Sequence, residues 1–183
     1  EALKKKQEEE VRLKQEAEAN KAAAEAAQKQ VKGITNFATI STKFHSYKAK
    51  IAEIKSTIVE PVKADKALRT MISQHKRKIN PKFGQLTNSN AQLTKISNEL
   101  TELITQTKPQ PIAFKWILNF VSKAIVSQSE TEVRAKPSSA IPLASLTLNL
   151  LCEFPELKEY LLARFIKKCP YIIGHTVHLT TNE

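Results

Sequence analysis

An all-α protein is predicted, an irregular helical stack preceded by one long N-terminal helix. Three features of the 183-residue chain predict it. Large apolar residues recur at spacings of three and four. Short Pro-bearing connections separate the periodic segments. Strand-like alternation is missing everywhere except possibly in the last dozen residues. Successive helices with short connections fit an α-solenoid or an irregular stack, and no sequence repeat fixes a regular one.

Residues 1–32 consist mainly of Ala, Glu, Lys and Gln, with Leu3, Val11, Leu13 and Val31 as the large apolar side chains. These are strong helix formers without a wide core-facing stripe, so an exposed helix is expected, ~48 Å long at ~1.5 Å per residue. It suits the end of a coiled coil, is closed by Gly33, and is expected to add little to the stability of a helical domain over 34–183.

Phe44, Tyr47, Ile51, Ile54 and Ile58 share one helical face, flanked by Lys48 and Lys55, until Pro61 ends or kinks that helix. A second helix runs through Leu68, Met71 and Ile72 to the basic stretch His75-Lys76-Arg77-Lys78 and a turn at Asn80-Pro81. The third uses Leu93, Ile96, Leu100 and Leu103. Beyond Lys108-Pro109-Gln110-Pro111, the segment Phe114 to Gln128 is apolar enough to be the central helix. Ser129 to Ser139 reads as a polar linker. The next helix is built on Leu143, Leu146, Leu150 and Phe154. Pro155 opens a last one through Leu157, Leu161, Phe165 and Ile166, which Pro170 stops.

Composition excludes much chemistry. Three glycines cannot assemble a phosphate-binding loop of either common type, and a single Asp, Asp65, leaves no material for Asp-based triads or EF-hands. No catalytic residue is expected. Cys169, His175 and His178 make a poor metal site without a fourth ligand, and surface histidines are the simpler expectation. Cys152 and Cys169 lack paired spacing and read as free thiols of a reducing compartment. No stretch reads as a membrane span or a targeting signal.

Charge is more informative. The formal net charge is +11 and the isoelectric point about 9.7, which calls for a polyanionic partner. Residues 43–82 hold eleven basic side chains against Glu53, Glu60 and Asp65. Most of that run reads as a solvated face. Lys123, the only charged residue between Trp116 and Ser129, must snorkel or meet an anion. Lys167 and Lys168 occupy a last helical turn, where the macrodipole alone favours cations. Lys76 to Lys78 form a third cluster. The aromatic residues fit core positions, so they are not free to stack on bases, and a compact polyphosphate suits these lysines better than nucleic acid.

Three strings, KRKINPKFGQLTNS at 76–89, WILNFVSKAIVSQSETEVR at 116–134 and ARFIKKCPYIIG at 163–174, resemble the nucleoporin Gle-one family of fungal mRNA-export factors. The resemblance spans about residues 34 to 178; residues 1–32 resemble only in type the end of that family's coiled coil. It implies a HEAT-like helical domain, not an enzyme, that works at the cytoplasmic face of the nuclear pore. There it implies activation of a DEAD-box RNA helicase, with inositol hexakisphosphate bridging the two proteins. It places the family's inositol phosphate lysines on Lys76, Lys123, Lys167 and Lys168, and on Lys55 by helix register alone. The family's domain extends past the position of Glu183, with helices that bind a phenylalanine-glycine nucleoporin. An RNA-binding helical adaptor and a structural pore scaffold are the alternative readings.

Overall fold

The computed structural model describes residues 37–176, and every regular element among them is helical. The expected helix over 1–32, His178 and most of the last dozen residues lie outside the described residues. The chain divides into two units, Glu1–Thr42 and Lys43–Glu183. Of the first, the described part is the opening of helix α1, Phe37–Ile54. All packing below concerns the second.

From Ile54 the helix widens into a π turn, Lys55–Val59, and continues as α2, Glu60–Ala64. Pro61 therefore does not end the helix. The π turn hands the N–H of Glu60 to the carbonyl of Lys55, so the missing Pro61 N–H falls just after a register shift. Ile54, Ile58 and Val62, spaced by four, are buried along the whole passage and hold it together. The stop is Asp65, whose extended backbone breaks the run and whose Oδ1 accepts from the N–H groups of Ala67 (2.8 Å) and Leu68 (3.0 Å). The single Asp of the chain is thus spent on a helix cap.

Helix α3, Lys66–Gly84, runs straight through the turn expected at Asn80-Pro81. An internal Pro costs about 3 kcal/mol. Ile79 and Phe83, buried on either side of it, anchor the turn against that cost. Helix α4 is Asn90–Thr105 and α5 is Pro111–Gln128, with Pro111 at the helix start, where its absent N–H is not missed. The predicted linker is mostly helical: a π turn, Ser129–Val133, extends α5 and a 3-10 turn, Pro137–Ser139, leads into α6, Ala140–Glu153. Polar composition misled there, because Val133 packs on the core and keeps the winding going. Helix α7, Leu157–Lys168, ends before a 3-10 turn, Pro170–Ile173, closed by Gly174 at φ 73°.

Packing follows an i to i+2 rule: α3 lies on α5, α5 on α7, and α4 on α6. Helices α3, α5 and α7 thus form one layer and α4 with α6 a second, the arrangement of a helical-repeat stack. One side-chain hydrogen bond marks each pair. Gln128 Nε2 donates to the Phe83 carbonyl at 3.5 Å, Asn149 Nδ2 to Ser97 Oγ at 3.0 Å, and Arg164 Nη2 to Asn119 Oδ1 at 2.7 Å. An ion pair of Lys82 with Glu99 ties α3 to α4, and the lysine's hydrogen bond holds the Glu99 carboxyl below its ordinary value. Helix α5 is central, as its composition predicts: Ile117, Leu118, Val121 and Ile125 are essentially inaccessible.

Candidate polyanion-binding site

The layer of α3, α5 and α7 brings three basic segments together. Lys76 stands on α3, Lys123 on α5, and Arg164 and Lys167 on α7. Phe120 positions the first two. It stacks on Trp116 at 5.8 Å, carries the Lys76 ammonium over its ring at 5.6 Å, and precedes Lys123 by three residues, hence on the same face. Arg164 and Lys167 are likewise three apart on α7, one above the other.

Lys123 is open to solvent, yet its ammonium is held below its ordinary pKa of 10.5. Loss of hydration is the largest cause; Arg164, Lys167 and Lys76 follow, all cations. Desolvation also lowers Arg164, whose Nη2 is fixed on buried Asn119 while its Nε is buried without a hydrogen-bond partner. Like charges gathered at a partly dehydrated place destabilise the free protein and are relieved by an anion. The sign for folding is definite. Between the lowered folded value and 10.5 the unfolded chain holds more protons, so the strain Lys123 imposes is full at neutral pH and fades as pH rises through that window.

Lys55, exposed at the mouth of the first π turn, does not act on Lys123 in this way. It lines instead, together with Lys167, a cavity of about 420 Å³ bounded by Phe44, Tyr47, Ile51 and Ile166. Lys167 therefore belongs to both places. Lys168, one residue and about 100° further round the helix, pairs with Glu130 of the second π turn at 3.0 Å. Of the five predicted lysines the fold gathers Lys76, Lys123 and Lys167, sets Lys55 in a cavity that Lys167 also lines, and leaves Lys168 beside them, paired with Glu130.

Sequence reasoning missed Arg164, although its i to i+3 spacing from Lys167 was a usable signal, and placed Lys48 only as a flank of the first apolar stripe, whereas it also lines the cavity and lies 5.7 Å from the Phe44 ring centre. It also misplaced His175. That ring is buried and stacks on Phe44 at 4.2 Å, 11° from parallel, because Gly174 turns the chain back after the 3-10 turn. Among the described residues no group of three potential metal ligands occurs, and no helix is long and apolar enough to cross a membrane.

The sequence pattern of the GLE1-like protein family matches residues 49–183. The chain belongs to that family. The mRNA export factor GLE1 of Saccharomyces cerevisiae is 60% identical over 153 residues, which is 83% of this chain and 28% of the relative. That of Schizosaccharomyces pombe is 40% identical over 67% of this chain and 26% of its own length. The chain thus spans about a quarter of these GLE1 relatives. A solved S. cerevisiae complex, the C-terminal domain of a Dbp5 variant bound to Gle1 and IP6, contains a similar fold. It matches with TM-score 0.78 and 60% identity, over 81% of this chain and half of the solved one. The family's helical-stack architecture, expected from the resemblance, is the one described above.

Proposed function

We propose that this GLE1-like chain is part of an mRNA-export factor that binds inositol hexakisphosphate on Lys76, Lys123 and Lys167, with Lys55 and Lys168 at the margin and Arg164 added. The observation that carries this reading is the gathering of three cations, Lys76 of α3 and Arg164 and Lys167 of α7, around the partly dehydrated Lys123 of α5. A compact polyanion with phosphates on every side satisfies such an arrangement, and lysine point charges suit it, since no planar bidentate match is needed. The S. cerevisiae relative was solved with IP6 and Dbp5, which supports the same ligand here.

In this proposal the bound polyphosphate is a shared counter-ion between two basic surfaces, this domain and a DEAD-box RNA helicase, whose ATPase the domain activates at the cytoplasmic face of the nuclear pore. The domain supplies no catalysis of its own. A phenylalanine-glycine nucleoporin is a second proposed partner, through family length that this chain does not span. Residues 1–32 are proposed as the end of a coiled coil carrying the domain 34–183.

Calorimetry with inositol hexakisphosphate against single-stranded RNA tests the ligand. Hexakisphosphate is expected to bind more tightly, and RNA preferred over it would favour the adaptor reading. Adding helicase tests the bridge, because the coupling is reciprocal: helicase must raise polyphosphate affinity by the factor by which polyphosphate raises helicase affinity. Helicase binding indifferent to polyphosphate would sink the bridge.

The lowered pKa of Lys123 adds a pH signature. Phosphate favours the protonated lysine, so the complex keeps a proton that the free protein loses early. Affinity should fall as pH rises through the lowered value, ahead of 10.5. Lys123→Gln should remove that early limb. A wild-type profile that stays flat until the ordinary lysine range would contradict the placement of phosphate beside Lys123.

A further inference from the structure

Lys168 is the one among the five lysines that holds an ion pair among the described residues. Its partner, Glu130, is the second residue of the π turn Ser129–Val133, and the Nζ to Oε1 distance is 3.0 Å. The turn follows α5 without a break, so the same helix brings Lys123 to the cationic group and then a carboxylate to its neighbour. A π turn shifts the helical register and so redirects the side chains that follow, and such turns recur at functional places. The paired side chains are 56% and 47% exposed. At that exposure the pair is weak, and its lysine can be exchanged for a stronger acceptor.

We propose that Glu130 is an internal counter-ion: it holds Lys168 while the site is empty and is displaced when polyphosphate takes that lysine. This rests on the hexakisphosphate reading above and adds a residue that regulates the same site. Two consequences follow from the charges. An anion must supply enough phosphate contact at Lys168 to replace the carboxylate, so Glu130 raises the threshold for occupancy. Once displaced, the carboxylate stands beside the anion and repels it. Both effects make Glu130 lower the affinity of the site, and both act largely through Lys168 because that is the group it touches.

Hexakisphosphate affinity is to be measured by calorimetry on the 183-residue chain for wild type, Glu130→Gln, Lys168→Gln and the double variant. Glu130→Gln is expected to tighten binding roughly fivefold, the size of a lost exposed ion pair. In the Lys168→Gln background the same change is expected to give less than about twofold, because the competition is already gone. Glu132→Gln, in the same turn, is the charge control and should leave the affinity within about twofold. Equal tightening in both backgrounds would show a general field effect and overturn the proposal, as would a Glu130→Gln variant that binds like wild type. A wild-type chain with no hexakisphosphate binding would fail the ligand reading and this proposal with it. Binding that needs Lys76 and Lys123 but ignores Glu130 would fail this proposal alone.

Discussion

Glutamine at both Lys76 and Lys123 is expected to weaken hexakisphosphate binding by about 100-fold. Each charge-assisted contact contributes about 1.5 kcal/mol, so two removed together cost roughly 3 kcal/mol, and each 1.4 kcal/mol is about tenfold. The comparison pair is Lys43→Gln with Lys63→Gln, which removes the same formal charge. Lys43 is exposed, and Lys63 is paired with Glu60 at 3.0 Å. That pair should cost no more than about threefold through general screening-dependent attraction. The Lys76 and Lys123 pair should change the melting point of the empty chain by no more than a few degrees, because the repulsion relieved at Lys123 offsets the ring contact that Lys76 loses. Calorimetry and thermal unfolding on the same samples separate the two effects. Equal losses from the two pairs would mean a diffuse basic surface and no defined pocket.

The cationic group was partly legible because helix geometry converts spacing into direction. Lys123 stood alone in an apolar helix, and Lys167 closed a helix whose apolar side was evident from Leu157, Leu161 and Ile166. Two further facts required tertiary packing. Nothing local says that α7 lies on α5, and only that packing sets the guanidinium of Arg164 on Asn119. Nor does spacing show that Lys168 faces the π turn and not Lys123, since Lys167 and Lys168 read as one cluster in a string. The helices themselves were legible from apolar periodicity, and the errors cluster at their breaks. Pro61 and Pro81 signal termination locally, but buried Ile58, Val62, Ile79 and Phe83 on either side of them favour continuation. Ser129 to Ser139 is polar, yet it winds on because α5 already supplies a helical end to extend. A surface position is the simpler expectation for His175, because nothing in its own string shows that Gly174 turns the ring onto Phe44.

The largest loss of stability is expected from Phe154→Ala. Phe154 lies between α6 and α7, and it is 1% exposed although it lies outside both helices. Its N–H donates to the Leu150 carbonyl at 2.9 Å and its own carbonyl accepts from the Leu157 N–H at 3.0 Å, so it ends one helix and starts the next. Its ring meets Phe114 of α5 edge-on at 6.0 Å, and the Lys108 ammonium stands 5.0 Å from the ring centre. The residue therefore joins the end of α6 and the start of α7 through its backbone, and α5 and the connection between α4 and α5 through its ring. Truncating a buried Phe removes its transfer free energy and leaves a cavity, together about 3–5 kcal/mol. For a chain of this size that corresponds to a melting point lower by roughly 10 °C. Tyr171→Ala, at a residue 70% exposed, should change stability by no more than about 0.5 kcal/mol. Phe154 belongs to the corner and not to the cationic face, so hexakisphosphate affinity measured well below the melting point should survive in the variant. Saturating ligand at a hundredfold excess over Kd restores only about 2.7 kcal/mol by mass action, which leaves the variant below the ligand-bound wild type. Thermal unfolding with and without ligand checks both statements. A loss under about 1 kcal/mol would mean that the aromatic corner does not hold the two layers together.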